Sequence, residues 1–112
     1  MSKYNAIPMQ VNGRKFDSRG EAARFGALTL AEKAGEIASL KTHPRFTLQE
    51  AFTDSTGTKH RAIVYEADFS YVDLRTGREV VEDFKGVSTR LFKLKFKLFL
   101  YRYRDVEFRI SK

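Results

Sequence analysis

No cysteine occurs among the 112 residues. That excludes a disulfide framework and any thiolate zinc site, and it fits a reducing compartment. No apolar run approaches the roughly 20 residues that a membrane span needs. The opening Met1-Ser2-Lys3-Tyr4-Asn5 lacks an apolar signal core, so the expected location is cytoplasmic. No Gly-rich phosphate loop, nucleophilic-serine motif or zinc motif is present, and no small-molecule cofactor is expected. His43 and His60 stand alone, without a partner at metal-ligand spacing, and read as incidental. Acid is also missing where it would be most noticed. Arg90, Lys93, Lys95, Lys97, Arg102 and Arg104 follow one another with no carboxylate between Arg90 and Arg104.

What is present is hydrophobic bulk and positive charge. Hydrophobic residues make up 42% of the chain, ten Phe and five Tyr among them. A chain this long buries roughly two thirds of its unfolded surface, enough for one core, so residues 1–112 read as a single domain. The formal net charge of +7, with a pI near 9.8, favours a polyanionic partner.

Asn12-Gly13 is a two-residue hairpin signal, because a type I′ turn needs positive φ at both positions. It predicts a hairpin over 6–16, an extension to a core at 17–112. Ser18 and Glu21 have capping-box spacing and predict a helix start. Ala23, Ala27, Leu30 and Ala34 recur on one helical face, which would lie close to a sheet, leaving Phe25 and Leu28 to find other cover. Gly35 suits the C-terminal cap. Strand-like segments follow at 45–52, 61–73 and 79–85, joined by turns at Asp54-Ser55-Thr56-Gly57 and Thr76-Gly77, as an antiparallel meander. From Leu91 to Arg104, alternation suggests a strand. The lack of β-branched residues between Leu91 and Arg104, and a length of about fourteen residues, favour a helix instead, capped by Ser88 or Thr89. Its two apolar stripes are Leu91, Leu94, Leu98, Tyr101 and Phe92, Phe96, Phe99, Tyr103. A last strand spans 106–110. The fold class is α+β, a mixed sheet flanked by helices.

A turn with Thr76-Gly77 as its two loop residues sets Arg75 opposite Arg78. Asp68 then falls opposite Lys85, and Ser70 opposite Asp83. Asp68, Asp83 and Lys85 share one sheet face, provided the register does not slip by one residue. Two carboxylates and an ammonium suit Mg²⁺ or Mn²⁺, which take oxygen ligands and leave room for water and phosphate. Lys85 would stabilise the charged transition state or position and deprotonate water. The competing reading is a surface ion pair across a hairpin, worth little. Asp68, between Ala67 and Phe69 in an apolar strand, argues against it.

Tyr65-Glu66-Ala67-Asp68-Phe69 followed by Val80-Val81-Glu82-Asp83-Phe84-Lys85-Gly86 resembles the split motif of the PD-(D/E)XK, or restriction-endonuclease-like, nucleases. Ala67 stands where the motif's name has Pro. The order of elements, αβββαβ, is similar to the core of that superfamily. Lys3-Tyr4-Asn5-Ala6, Phe16-Asp17-Ser18, Glu21-Ala22 and the Glu-Asp-Phe-Lys-Gly segment resemble a family of small phage-encoded nucleases, some of them Holliday-junction resolvase-like. The resemblance implies metal binding by Asp68 and Asp83, a catalytic Lys85, and an assisting carboxylate at Glu21, which also serves the capping box. Glu82 is a weaker metal candidate, because a regular strand turns it away from Asp83.

The implied activity is a Mg²⁺- or Mn²⁺-dependent DNA endonuclease in the host cytoplasm, cutting branched DNA in recombination. A resolvase cuts two strands and would be a homodimer. Arg90, Lys93, Lys95, Lys97 and Arg104, with Arg19 on the first helix, are the candidate phosphate contacts. Two rivals are a catalytically silent nucleic-acid-binding module on the same fold and a phage accessory protein that binds a host protein.

Overall fold

A computed structural model describes residues 9–11, 14–16, 18–84 and 89–112, with side chains from Ser18 onward. The two residues of the first predicted turn, Asn12 and Gly13, and the catalytic candidate Lys85 lie outside the described residues.

The first elements among the described residues are β1 (Met9–Val11) and β2 (Arg14–Phe16), antiparallel, with Val11 opposite Arg14. That register leaves the two residues expected of the hairpin. Helix α1 (Arg19–Lys33) starts as its cap chemistry dictates, with the Ser18 hydroxyl accepting the Glu21 N–H at 3.1 Å. It ends in a Schellman arrangement. Gly35 has a φ of +79°, its N–H donates to the Glu32 carbonyl, and the Glu36 N–H donates to the Ala31 carbonyl.

The buried face of α1 differs from the expected one. Ala22, Phe25 and Leu28 face the sheet, while Ala23, Ala27, Leu30 and Ala34 are exposed. The physical reason is area. Burying Phe25 and Leu28 removes more apolar surface from water, about 2–3 kcal/mol each, than burying a stripe made mostly of alanine.

The main sheet has the order β10-β9-β8-β3, built from β3 (Ile37–Thr42), β8 (Phe69–Asp73), β9 (Arg78–Phe84) and β10 (Glu107–Ser111). β3, β8 and β9 run antiparallel, and β10 joins β9 in parallel after the crossover helix α2 (Arg90–Arg102). The first strand of this meander is therefore Ile37–Thr42, not 45–52. The expected strand at 61–73 is broken. β7 (Ile63–Glu66) ends before Ala67-Asp68, and β8 begins after it.

The remaining strands form a separate two-stranded ribbon. β4 (Arg45–Gln49) pairs with β7, with a register shift between Thr47 and Gln49. Beyond it β5 (Phe52–Thr53) pairs with β6 (Lys59–His60). The register in which Gln49 meets Ile63 is also the one in which Phe52 meets His60. The two pairs therefore form one long hairpin whose root lies at His43 and Asp68.

Helix α2 settles the strand-or-helix ambiguity at 91–104. The Thr89 hydroxyl caps it by accepting the Phe92 N–H at 3.1 Å. Its phenylalanine stripe is the buried one. Phe99 is fully buried against Tyr65, Phe46 and Tyr103, with Val81 and Leu48 in the same cluster. The leucine stripe faces out, with Leu91, Leu94 and Tyr101 more than half exposed. The two helices thus cover opposite faces of an open sheet, Val80 lying in the cluster with α1 and Val81 in that with α2. No helix among the described residues is long and apolar enough to cross a membrane.

Candidate metal centre

The β8–β9 turn is longer than its Thr76-Gly77 signal suggests. Asp73 faces Arg78, and four residues, 74–77, span the turn. Asp73 organises it. Its carboxylate accepts the Arg75 N–H at 2.9 Å, and its carbonyl accepts those of Thr76 and Gly77. Arg109 and Arg75 hold the Asp73 carboxyl down at about 2. The change moves each partner by two residues, so Ser70 faces Val81 and Asp68 falls opposite Asp83 rather than Lys85. A shift of two leaves every side chain on its expected face.

Asp68 and Asp83 are laced together. The Asp68 N–H donates to Asp83 Oδ1 at 3.1 Å, and the Phe84 N–H donates to Asp68 Oδ2 at 2.6 Å. The other oxygen of Asp83 accepts a hydrogen bond from the Tyr65 hydroxyl. Among the described residues, neither carboxylate pairs with a lysine or arginine. Burial pushes both carboxyls up. Asp68 reaches about 7, with the charges of Glu21 and Asp83 adding to the rise, against the Phe84 N–H and His43. Asp83 is raised for the same first reason, against hydrogen bonds from Tyr65 and the Asp68 backbone. Burial first, and then the hydrogen bond to the Asp83 carboxylate, raises the Tyr65 hydroxyl, so it stays a donor.

Glu21 and His43 complete the cluster. Glu21, in the first turn of α1, is buried, and its Oε2 lies 2.9 Å from His43 Nε2. One ligand atom each from Glu21, His43 and Asp68 lies within 4.8 Å of the others. This is a clustered Glu/His/Asp triad with the geometry to hold a divalent cation.

His43 is the residue that sequence reasoning passed over. It sits where β3 turns into β4, and no spacing rule connects it to residues 22 and 25 positions away. Its backbone has a φ of +51°, a left-handed conformation uncommon outside glycine, though histidine is among the residues enriched there. Two hydrogen bonds hold it. The His43 N–H donates to the Asp68 carbonyl at 2.8 Å, and the Ala67 N–H donates to the Pro44 carbonyl at 3.0 Å. The break between β7 and β8 is thus zipped to the β3–β4 turn, which brings His43 to Asp68. Strain of this kind concentrates at functional positions.

Glu82 goes elsewhere. It is fully buried on the α1 face, its carboxylate taken by Arg24 at 2.5 and 2.9 Å and by the Tyr71 hydroxyl at 2.7 Å. Burial raises its carboxyl, but these hydrogen bonds outweigh burial and hold it below the ordinary range. A carboxylate so satisfied serves the core.

The candidate phosphate contacts divide. Arg90, Lys93 and Lys97 are exposed on α2, and Arg19 is exposed at the start of α1. Lys95 donates to the Val64 carbonyl at 3.0 Å and ties α2 to the ribbon. Arg104 donates to the Tyr101 carbonyl and lies over the Tyr101 ring at 4.6 Å. An open groove of about 540 Å³ lies between the start of α2 and the ribbon root, lined by Arg45, Tyr65, Glu66 and Lys95 among others.

No curated protein and no solved structure matches the chain. A family model does match, over residues 1–112, and the chain belongs to that family, described as "Protein of unknown function (DUF1064)".

Proposed function

We propose that the protein is a metal-dependent DNA endonuclease of the PD-(D/E)XK type. The observation that carries the reading is the Glu21, His43 and Asp68 cluster beside Asp83. Its donor set suits a divalent cation. Asp68 and Asp83, buried side by side without a lysine or arginine partner among the described residues, gain from such a cation, and the elevated Asp68 carboxyl reflects that burial first and the neighbouring charges after it. Glu21 and Asp68 supply oxygen ligands. His43 supplies a nitrogen that favours Mn²⁺ over Mg²⁺, since magnesium prefers an all-oxygen shell. A bound cation would polarise a phosphodiester and lower the pKa of a water molecule.

The chain's own residues do the rest. Asp83 fixes Asp68 through the Asp68 N–H and offers a carboxylate to the same site. Tyr65 orients Asp83. Lys85, the acid-x-Lys lysine of the motif, stabilises charge on the reacting phosphate. Arg90, Lys93, Lys97 and Arg19 hold the phosphate backbone. The exposed leucine stripe of α2 suits burial between two copies, as two-strand cutting of branched DNA requires.

The test is cleavage of end-labelled linear, single-stranded, forked and four-way-junction DNA with Mg²⁺, Mn²⁺ or EDTA. Metal-dependent cutting by the wild type is expected, abolished in Asp68→Asn and Lys85→Ala and reduced in His43→Ala. Tight, salt-sensitive binding without cutting on every substrate would instead identify a silent binding module, and no DNA binding at all would point to a protein partner.

A further inference from the structure

The far end of the ribbon has no role in the core. From Ala51 to Ile63 every residue is exposed except the half-buried Asp54. A lone two-stranded hairpin is marginal in water, yet the turn of this one is braced by Asp54. The Asp54 N–H donates to the Thr58 carbonyl, and Asp54 Oδ1 accepts the Thr56 N–H, the Thr56 hydroxyl and the Thr58 N–H at 2.6–3.1 Å. Gly57, at a φ of +89°, closes the turn. Asp54 Oδ2 lies 2.8 Å from His60 Nε2 and fixes the plane of that imidazole.

On this rigid tip, Phe52 and His60 face one another across the strands, rings nearly parallel at 19°, centroids 4.8 Å apart. Phe52 is 47% exposed and the His60 side chain 45%. Lys59 and Arg61 flank the pair, both exposed, with no ion-pair partner among the described residues.

We propose that this ring pair is a stacking site for an unpaired nucleobase of single-stranded DNA, with Lys59 and Arg61 against its phosphates. The proposal rests on the nuclease reading for its substrate. Exposed aromatic faces beside free cations are the chemistry by which single strands are held, because every base has a π-face and every linkage a charge. Bracing by Asp54 means that little order is lost on binding. The ribbon's root carries His43 and Asp68, so the tip has a fixed reach from the metal centre. Seven residues separate Arg45 from Phe52, and at about 3.3 Å each that is roughly 23 Å. At the 3.4 Å per nucleotide of a stacked, duplex-like strand that is at most about seven nucleotides, and fewer for an extended single strand. The ribbon is thus a measuring arm that favours forked or tailed DNA over blunt duplex.

The experiment is binding to a duplex with a single-stranded tail, in EDTA, so that cleavage plays no part. 2-Aminopurine is placed at successive tail positions, and 5-iodouracil in a parallel series. For the wild type we expect fluorescence quenching confined to one or two positions, and a photocrosslink from the same position to the peptide holding Phe52. Phe52→Leu should weaken tail binding roughly 5- to 150-fold, the loss of one stacked base, and leave blunt-duplex binding unchanged. Phe52→Tyr should restore it. Amide protection at Thr58 reports whether the hairpin survives each change. Quenching without metal-dependent cutting would keep the stacking site and discard the nuclease. Cutting with no quench and no crosslink at any tail position would overturn the stacking site and leave the ring pair as a brace of its own hairpin.

Discussion

Replacing Asp68 by asparagine should stabilise the metal-free protein and abolish its metal binding. The Asp68 carboxyl rises from 3.8 to about 7, roughly three pKa units, and one unit is about 1.36 kcal/mol. The ceiling is therefore about 4 kcal/mol. Asp68 is only half-buried, and solvent screening brings the expectation to about 2 kcal/mol. The sign follows from proton binding. Between about pH 4 and pH 7 the folded chain keeps a proton that the unfolded chain has released, so stability falls as pH rises through that window and levels off above it. Asparagine has no such proton and keeps an oxygen for the Phe84 N–H. At about pH 3.5, below both the folded and the unfolded pKa, the two proteins should melt within a degree or two of one another. At pH 8 in EDTA the variant should melt higher by roughly 6–12 °C. Added Mn²⁺ at about a hundred times its Kd should then stabilise the wild type by about 2.7 kcal/mol and the variant not at all. Calorimetry at the two pH values reads all three effects. A variant that melts lower at pH 8, or by the same offset at both, would refute the account of Asp68 as a carboxylate raised by burial and by its charged neighbours.

Metal affinity of the wild type should fall about tenfold per pH unit below pH 7 and flatten above it, because the cation must displace the Asp68 proton; titration calorimetry in buffers of differing ionisation enthalpy should show that proton released. Gly20→Ala sets a methyl 2.4 Å from the Phe84 ring, so an overpacking cost of about 1–3 kcal/mol should outweigh the roughly 1 kcal/mol gained in helix preference; a higher Tm would mean that the ring swings aside freely. Arg24→Met strands the Glu82 carboxylate in the core and should cost about 3–5 kcal/mol by urea denaturation, whereas Arg24→Met with Glu82→Leu should recover most of it.

Much of this protein is decided locally and could be read without a structure. Ser18 starts α1 and Gly35 ends it, because a hydroxyl acceptor and a left-handed residue act within one turn of chain. The hairpin at 9–16, the turn at Asp54-Ser55-Thr56-Gly57 and helix α2 follow from equally short-range preferences. Alternation put Asp68 and Asp83 on a common face, and that survived a register shift because two residues make one full strand period. What the sequence could not decide depended on partners far along the chain. Which stripe of α1 or α2 is buried was settled by the facing side chains, Phe69 and Tyr71 for one helix, Tyr65 and Val81 for the other. The strand at 37–42 carries no clean alternation and exists because β8 offers it a ladder. The approach of His43 to Glu21 and Asp68 has no signature in spacing at all. It arises where a broken strand is hydrogen-bonded to a strained turn, and only the folded chain brings those two breaks together.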